Sequence, residues 1–82
     1  MSHPYSILIQ WSDDDRKYIA SLPEFGPYAR THGSTYAEAL EMAEEVLEIL
    51  IESYQESGKP LPIAQRIELQ TAQESSSNRL QQ

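Results

Sequence analysis

The chain reads as an α+β fold, a three- to four-stranded antiparallel sheet with one long helix packed on it, in the order β-β-β-α-β. Three observations predict this. Two apolar-rich segments flank an acidic turn, which makes a hairpin. The Pro-rich stretch Leu22-Pro23-Glu24-Phe25-Gly26-Pro27-Tyr28 turns the chain and leaves room for one short strand before Gly33. A capped segment of helical periodicity then runs from Tyr36 to Ser57.

The first strand is Tyr5-Ser6-Ile7-Leu8-Ile9-Gln10-Trp11, whose alternation puts Tyr5, Ile7, Ile9 and Trp11 on one face. Ser12 to Arg16 is a turn, because Asp and Ser side chains bond nearby backbone and tolerate unusual dihedrals. Lys17 to Leu22 returns as the second strand. Pro23 ends it, since proline cannot donate to a ladder. Tyr28 to His32 is the third strand, with Tyr28, Arg30 and His32 facing opposite to Ala29 and Thr31. In the helix, Thr35 is the N-cap and Glu38, three residues on, completes a capping box. Gly58 stands at the position after the helix, and Pro60 prevents continuation. Lys59-Pro60-Leu61-Pro62 is extended. Ile63, Gln65, Ile67 and Leu69 then alternate with Ala64, Arg66 and Glu68, which predicts a fourth strand. Residues 1–69 read as one domain. Residues 70–82 are Gln- and Ser-rich and read as a disordered tail.

At 82 residues with no cysteine, a single small core has neither disulfides nor thiolate metal ligands to reinforce it. Oligomerisation is the remaining source of burial. No apolar run approaches the roughly 20 residues of a membrane span, and Met1-Ser2-His3-Pro4 lacks the basic and apolar regions of a signal peptide. The expectation is a cytoplasmic protein that does not engage a membrane. The net charge of −7 is unevenly placed. Residues 36–57 hold seven glutamates (Glu38, Glu41, Glu44, Glu45, Glu48, Glu52, Glu56) and no base, while the remainder carries six acids and six bases.

Tyr18-Ile19-Ala20-Ser21-Leu22-Pro23-Glu24-Phe25, then Gly33-Ser34-Thr35, then Glu38-Ala39-Leu40, and finally Gly58-Lys59-Pro60-Leu61-Pro62, follow one another at a specific spacing. Their order resembles the HicB family of antitoxins from bacterial type II toxin–antitoxin systems, over residues 5–63. The resemblance implies a partial RNase H-like fold and a role in binding and silencing a small RNA-cleaving toxin, HicA. Many members of that family also carry a C-terminal helix-turn-helix or ribbon-helix-helix DNA-binding domain. Here the stretch after the helix is short, so the expectation is a protein without such a domain and without direct operator binding. The turn Phe25-Gly26-Pro27-Tyr28 also departs from the family's Pro-Gly-Cys-like end, and the segment to Gly33 is one residue longer.

Residue chemistry points away from catalysis. Asp13-Asp14-Asp15 is the one carboxylate cluster outside the helix, but consecutive turn residues point in different directions, whereas two-metal hydrolysis needs converging carboxylates. His3 and His32 have no ligand at helical spacing, Ser34 and Thr35 are explained by capping, and no Gly-rich phosphate loop occurs. The expected reading is no enzyme, no metal and no cofactor. Trp11, Tyr18, Tyr28 and Tyr36 could stack bases, yet nucleic-acid binding needs a basic stripe. Arg16, Lys17, Arg30 and Arg66 are scattered and outnumbered, so packing is the better reading.

Two surfaces on the helix are candidates for partners. At 100° per residue its apolar side chains fill an arc of roughly 200°, against about 100° or somewhat more for an ordinary surface helix. Met42, Val46 and Ile49 on the margin are the expected contacts of a homodimer or higher even-numbered oligomer. On the other side, Glu41/Glu45, Glu44/Glu48, Glu48/Glu52 and Glu52/Glu56 are like-charged i,i+4 pairs, each costing a few tenths of a kcal/mol. A basic partner relieves that repulsion, and an RNA-cleaving toxin is basic because it holds RNA. Glu45, Glu48 and Glu52 are the expected toxin contacts. A solvated face that keeps the protein soluble explains the same glutamates. The two functional readings are therefore an antitoxin for a basic RNA-cleaving toxin and an orphan self-associating interaction domain without one.

Overall fold

A computed structural model describes residues 4–67. Strands β1 (Leu8–Ser12), β2 (Lys17–Ser21) and β3 (Arg30–Gly33) form an antiparallel sheet in the order β1-β2-β3, followed by helix α1 (Tyr36–Ser57). A single 3-10 turn, Pro23–Phe25, lies between β2 and β3. The fold is α+β, as the residue pattern predicts. His3 and residues 68–82, which include the end of the expected fourth strand and the whole expected tail, lie outside the described residues.

The hairpin pairs Ile9 with Ala20 and Trp11 with Tyr18, and β3 pairs Thr31 with Ala20 and Gly33 with Tyr18. These side chains share the face on which α1 packs. At the tight end, the Arg16 amide donates to the Ser12 carbonyl at 2.8 Å. Arg16 itself takes φ 56, the left-handed conformation.

The helix begins where local chemistry places it. Glu38 N–H donates to Thr35 Oγ1 at 3.0 Å, and the Glu38 carboxylate accepts from the Ser34 amide at 2.6 Å. The reciprocal bond thus lands one residue before the N-cap rather than on it. At the other end Gly58 adopts φ 72, ψ 18. Its amide donates to the Gln55 carbonyl, and the Lys59 amide donates to the Tyr54 carbonyl at 2.9 Å. This is the paired bonding of a Schellman end, which favours glycine because the left-handed conformation crowds a Cβ.

The core is small. Its buried hydrophobic residues are Ala20, Leu22, Ala39, Ala43 and Leu47, and Tyr5, Ile7, Ile9, Tyr18, Phe25, Val46, Leu50 and Ile51 pack around them. Alanines on both sides let the helix lie close to the sheet. Gly33, the last residue of β3, marks the closest approach: a Cβ there would meet the Ala39 backbone nitrogen and lie 2.8 Å from Ala39 Cα.

Three expectations need correction. Pairing in β1 starts at Leu8 rather than Tyr5, because the Ser6 amide donates to the Glu24 carboxylate instead of a strand. The third strand starts at Arg30 rather than Tyr28; Pro27 has no N–H to give, and Tyr28 lies in the preceding turn, 89% exposed. Residues 61–67 form no strand. Their one backbone bond to the body of the protein through an amide, from Gln65, goes to a side chain rather than a strand edge.

The Gly33 contact gives a sharp stability expectation. Gly33→Ala drives a methyl into helix backbone, which cannot rotate away as a side chain would. The loss is on the order of 3 kcal/mol, a large share of what a small domain possesses. Urea denaturation checks it. A midpoint unchanged from the parent would mean that α1 retreats from β3 without cost.

Candidate interaction surfaces

The glutamates expected to meet a partner are on the open side of α1. Glu41, Glu44, Glu45 and Glu48 line one shallow depression along it, and Glu52 continues the row, exposed, one turn further on. Glu41 with Glu45, and Glu52 with Glu56, stand at i,i+4 with no base on the helix between them.

The trio expected at an oligomer interface is divided. Val46 is half-buried and packs against the core, so its first role is internal. Met42 is 36% exposed and Ile49 is 64% exposed. Met42 shares a cleft with Lys17, His32, Gly33, Ser34 and Glu38, which places this flank of the helix beside the outer edge of β3.

The triple aspartate is a turn, and two of its carboxylates are tied to its own flanks. Asp13 Oδ1 accepts from the Trp11 indole N–H at 2.9 Å, and Asp15 Oδ2 accepts from the Ser12 hydroxyl at 3.2 Å. Among the described residues no group of three or more His, Cys, Asp or Glu could hold a metal ion. His32 lies on the sheet face away from the helix, near Ile19, Arg30, Ser12 and Asp15 in a shallow groove. That outer face also carries Leu8, Gln10 and Lys17, and none of the described strands or helices packs on it. Among the described residues no helix is long and apolar enough to cross a membrane.

The aromatic residues stack on one another. Trp11 meets Tyr18 edge-on at 5.0 Å, and Tyr18 meets Tyr36 at 4.3 Å, so the three close the gap between sheet and helix start. The Arg16 guanidinium stands 5.9 Å over the Trp11 ring. Tyr28 stands outside this group. At the opposite end of the helix, Phe25 packs against both Tyr5 and Tyr54.

Glu24 is the polar residue that sequence reading missed. Its carboxylate accepts from the Ser6 amide (3.1 Å), the Ser6 hydroxyl (3.0 Å) and the Gln65 amide (2.9 Å). It therefore joins the chain before β1, the turn after β2 and the segment after α1. Nearby, the Tyr5 hydroxyl donates to the Pro62 carbonyl at 2.7 Å. Burial pushes the Glu24 carboxyl up, but the amides of Gln65 and Ser6 and the Ser6 hydroxyl outweigh it and hold the carboxyl below its ordinary value of 4.5. No local signal announces this, since the partners lie 18 and 41 residues away. Comparison of the chain with protein-family models, curated proteins and solved structures finds no match.

Because the folded carboxyl is the stronger acid, the unfolded chain binds more protons in this range. The clamp's stabilisation is complete above the ordinary value of 4.5 and is lost as pH falls through the lower folded value. Glu24→Gln removes that part of the acid dependence while keeping shape and one acceptor. Thermal melts of parent and variant at about pH 6 and about pH 3 test this. The parent's melting temperature falls more steeply than the variant's; parallel losses would show that the acid sensitivity lies elsewhere.

Proposed function

We propose that this chain is a HicB-like antitoxin that binds and neutralises a small basic RNA-cleaving toxin of the HicA kind, acting in the cytoplasm as a self-associated homodimer or higher even-numbered oligomer. The observation that carries the reading is the acidic face of α1. Glu41, Glu44, Glu45 and Glu52 are exposed along one side of a helix without a single base. Like charges at i,i+4 disfavour the isolated helix, and a partner that holds RNA brings the positive surface that offsets them. The motif order from Tyr18 to Pro62 gives the same direction by resemblance. The role proposed is binding rather than catalysis, because Asp13 and Asp15 are engaged within their own turn and do not converge on a common point.

A second reading, an orphan self-associating domain, is favoured by the exposed apolar side chains Met42 and Ile49 alone. A search for a small basic reading frame beside this one, and co-expression with the protein it encodes, separates the two. Co-purification of the pair supports the antitoxin, and its absence favours the orphan.

Three further outcomes check the proposal. Glu45→Gln/Glu48→Gln/Glu52→Gln slows stopped-flow association with that protein by about tenfold at low salt and flattens its salt dependence. It also stabilises the isolated chain by a few tenths of a kcal/mol. Identical rates and salt slopes would leave the glutamates as solubility residues. The purified chain cleaves no RNA with Mg²⁺ or Mn²⁺, and a metal-dependent nuclease activity abolished by Asp14→Ala would overturn the binding-only role.

A further inference from the structure

We infer that residues 61–67 form an arm that docks on a second copy of this chain, along the open edge of β3 and the Met42–Val46–Ile49 flank of α1. The inference rests on the self-association reading above and names the element that carries it.

The arm has the pattern of a strand but no strand partner. Ile63 is 90% exposed and Ile67 82% exposed, although both are large aliphatic residues. Within 61–67, the described hydrogen bonds are the two anchors already given, at the Pro62 carbonyl and the Gln65 amide. The backbone amides of Ile63, Ala64, Arg66 and Ile67 therefore have no partner among the described residues. Pro60 and Pro62 keep the start of the arm extended.

The receiving surface has matching needs. Among the described residues β3 pairs with β2 alone, so Arg30–Gly33 presents an open edge. An exposed edge is a ready template for an added strand. Met42 stands exposed beside that edge, and Ile49 is exposed two turns further along the same flank of α1. They are seven residues apart on a helix, about 10 Å. Ile63 and Ile67 are four apart on an extended chain, about 13 Å. Two apolar pairs of similar span can thus meet, with Val46 between them. From residue 58 to 67 the chain has two bases, Lys59 and Arg66, and no acid, against seven glutamates and no base on α1. Charge steers the arm toward an α1 surface.

The occupant is another copy because the arm is fastened on the wrong side to reach its own β3. Both anchors lie beside the chain that leads into β1, Tyr5 directly and Glu24 through its bonds to Ser6, and β1 and β3 are opposite edges of the described sheet. Reciprocal exchange places each arm on the other chain's β3 and closes a two-fold dimer.

The test uses the full chain, whose lack of cysteine makes introduced cysteines unambiguous. In Ile63→Ser/Ile67→Ser, both changed side chains are exposed, so far-UV circular dichroism and the melting of the dilute monomer stay as in the parent. Sedimentation equilibrium then shows a dimer dissociation constant raised at least about tenfold. In parallel, a His32→Cys chain mixed with an Arg66→Cys chain and treated with a short bismaleimide gives the mixed cross-linked pair. A parent that stays monomeric at high concentration removes the self-association reading, and the arm with it. A dimeric parent whose double variant dimerises equally well overturns the arm alone. Cross-linking of His32→Cys chains only to one another would mean that β3 pairs with β3. Cross-linking only within a chain carrying both cysteines would mean that the arm folds back on its own sheet. Either result overturns the inference.

Discussion

The close approach of α1 to the sheet is the constraint on which the other features depend. Gly33 and Ala39 touch backbone to backbone, and Ala20, Ala39 and Ala43 continue the seam of small residues. A helix held this near leaves space for only Leu22 and Leu47 as large fully buried side chains or nearly so. Bulkier residues are displaced to the two ends, where Trp11, Tyr18 and Tyr36 fill one opening and Tyr5, Phe25 and Tyr54 fill the other. The seam also explains the uncovered flank. A narrow three-stranded sheet pressed against the alanine stripe shields the middle of a roughly 200° apolar arc and leaves its margin, Ile49 above all, in water.

Charge is separated across this sandwich. The glutamates occupy the helix surface away from the sheet, while the bases Lys17 and Arg30 share the sheet face away from the helix, where Asp15 is the acid beside Arg30. The two outer surfaces consequently suit different partners, and an acidic ligand has no reason to approach the helix side. The same separation keeps like charges off the seam, where Glu38 is the one acid of the first helical turn and is used for capping.

Features set by neighbours in sequence were legible in it. The helix runs from Tyr36 to Ser57 as expected because Thr35, Glu38 and Gly58 define its ends through bonds spanning only a few residues. The hairpin and its facing of Tyr5, Ile7 and Ile9 toward the core follow from alternation across a short turn. Boundaries decided at a distance were not legible. Whether Tyr5 to Ile7 is a strand depends on Glu24 capturing the Ser6 amide, and whether residues 63–67 pair depends on which edge they can reach. Among candidate contacts, Met42, Ile49 and the glutamates lie where helical periodicity puts them. Val46, between them on the same flank, is half-buried, because its place on the helical wheel is shared between core and margin.

The bonds that close the chain on itself have a kinetic meaning. The Tyr5–Pro62 and Glu24–Gln65 links join residues 57 and 41 apart, whereas the hairpin and the helix form from near neighbours. Loop closure over such separations is slow and comes after local structure. The body of the fold is thus complete before its last segment is fastened, and that segment spends the interval as an unattached strand-like tail.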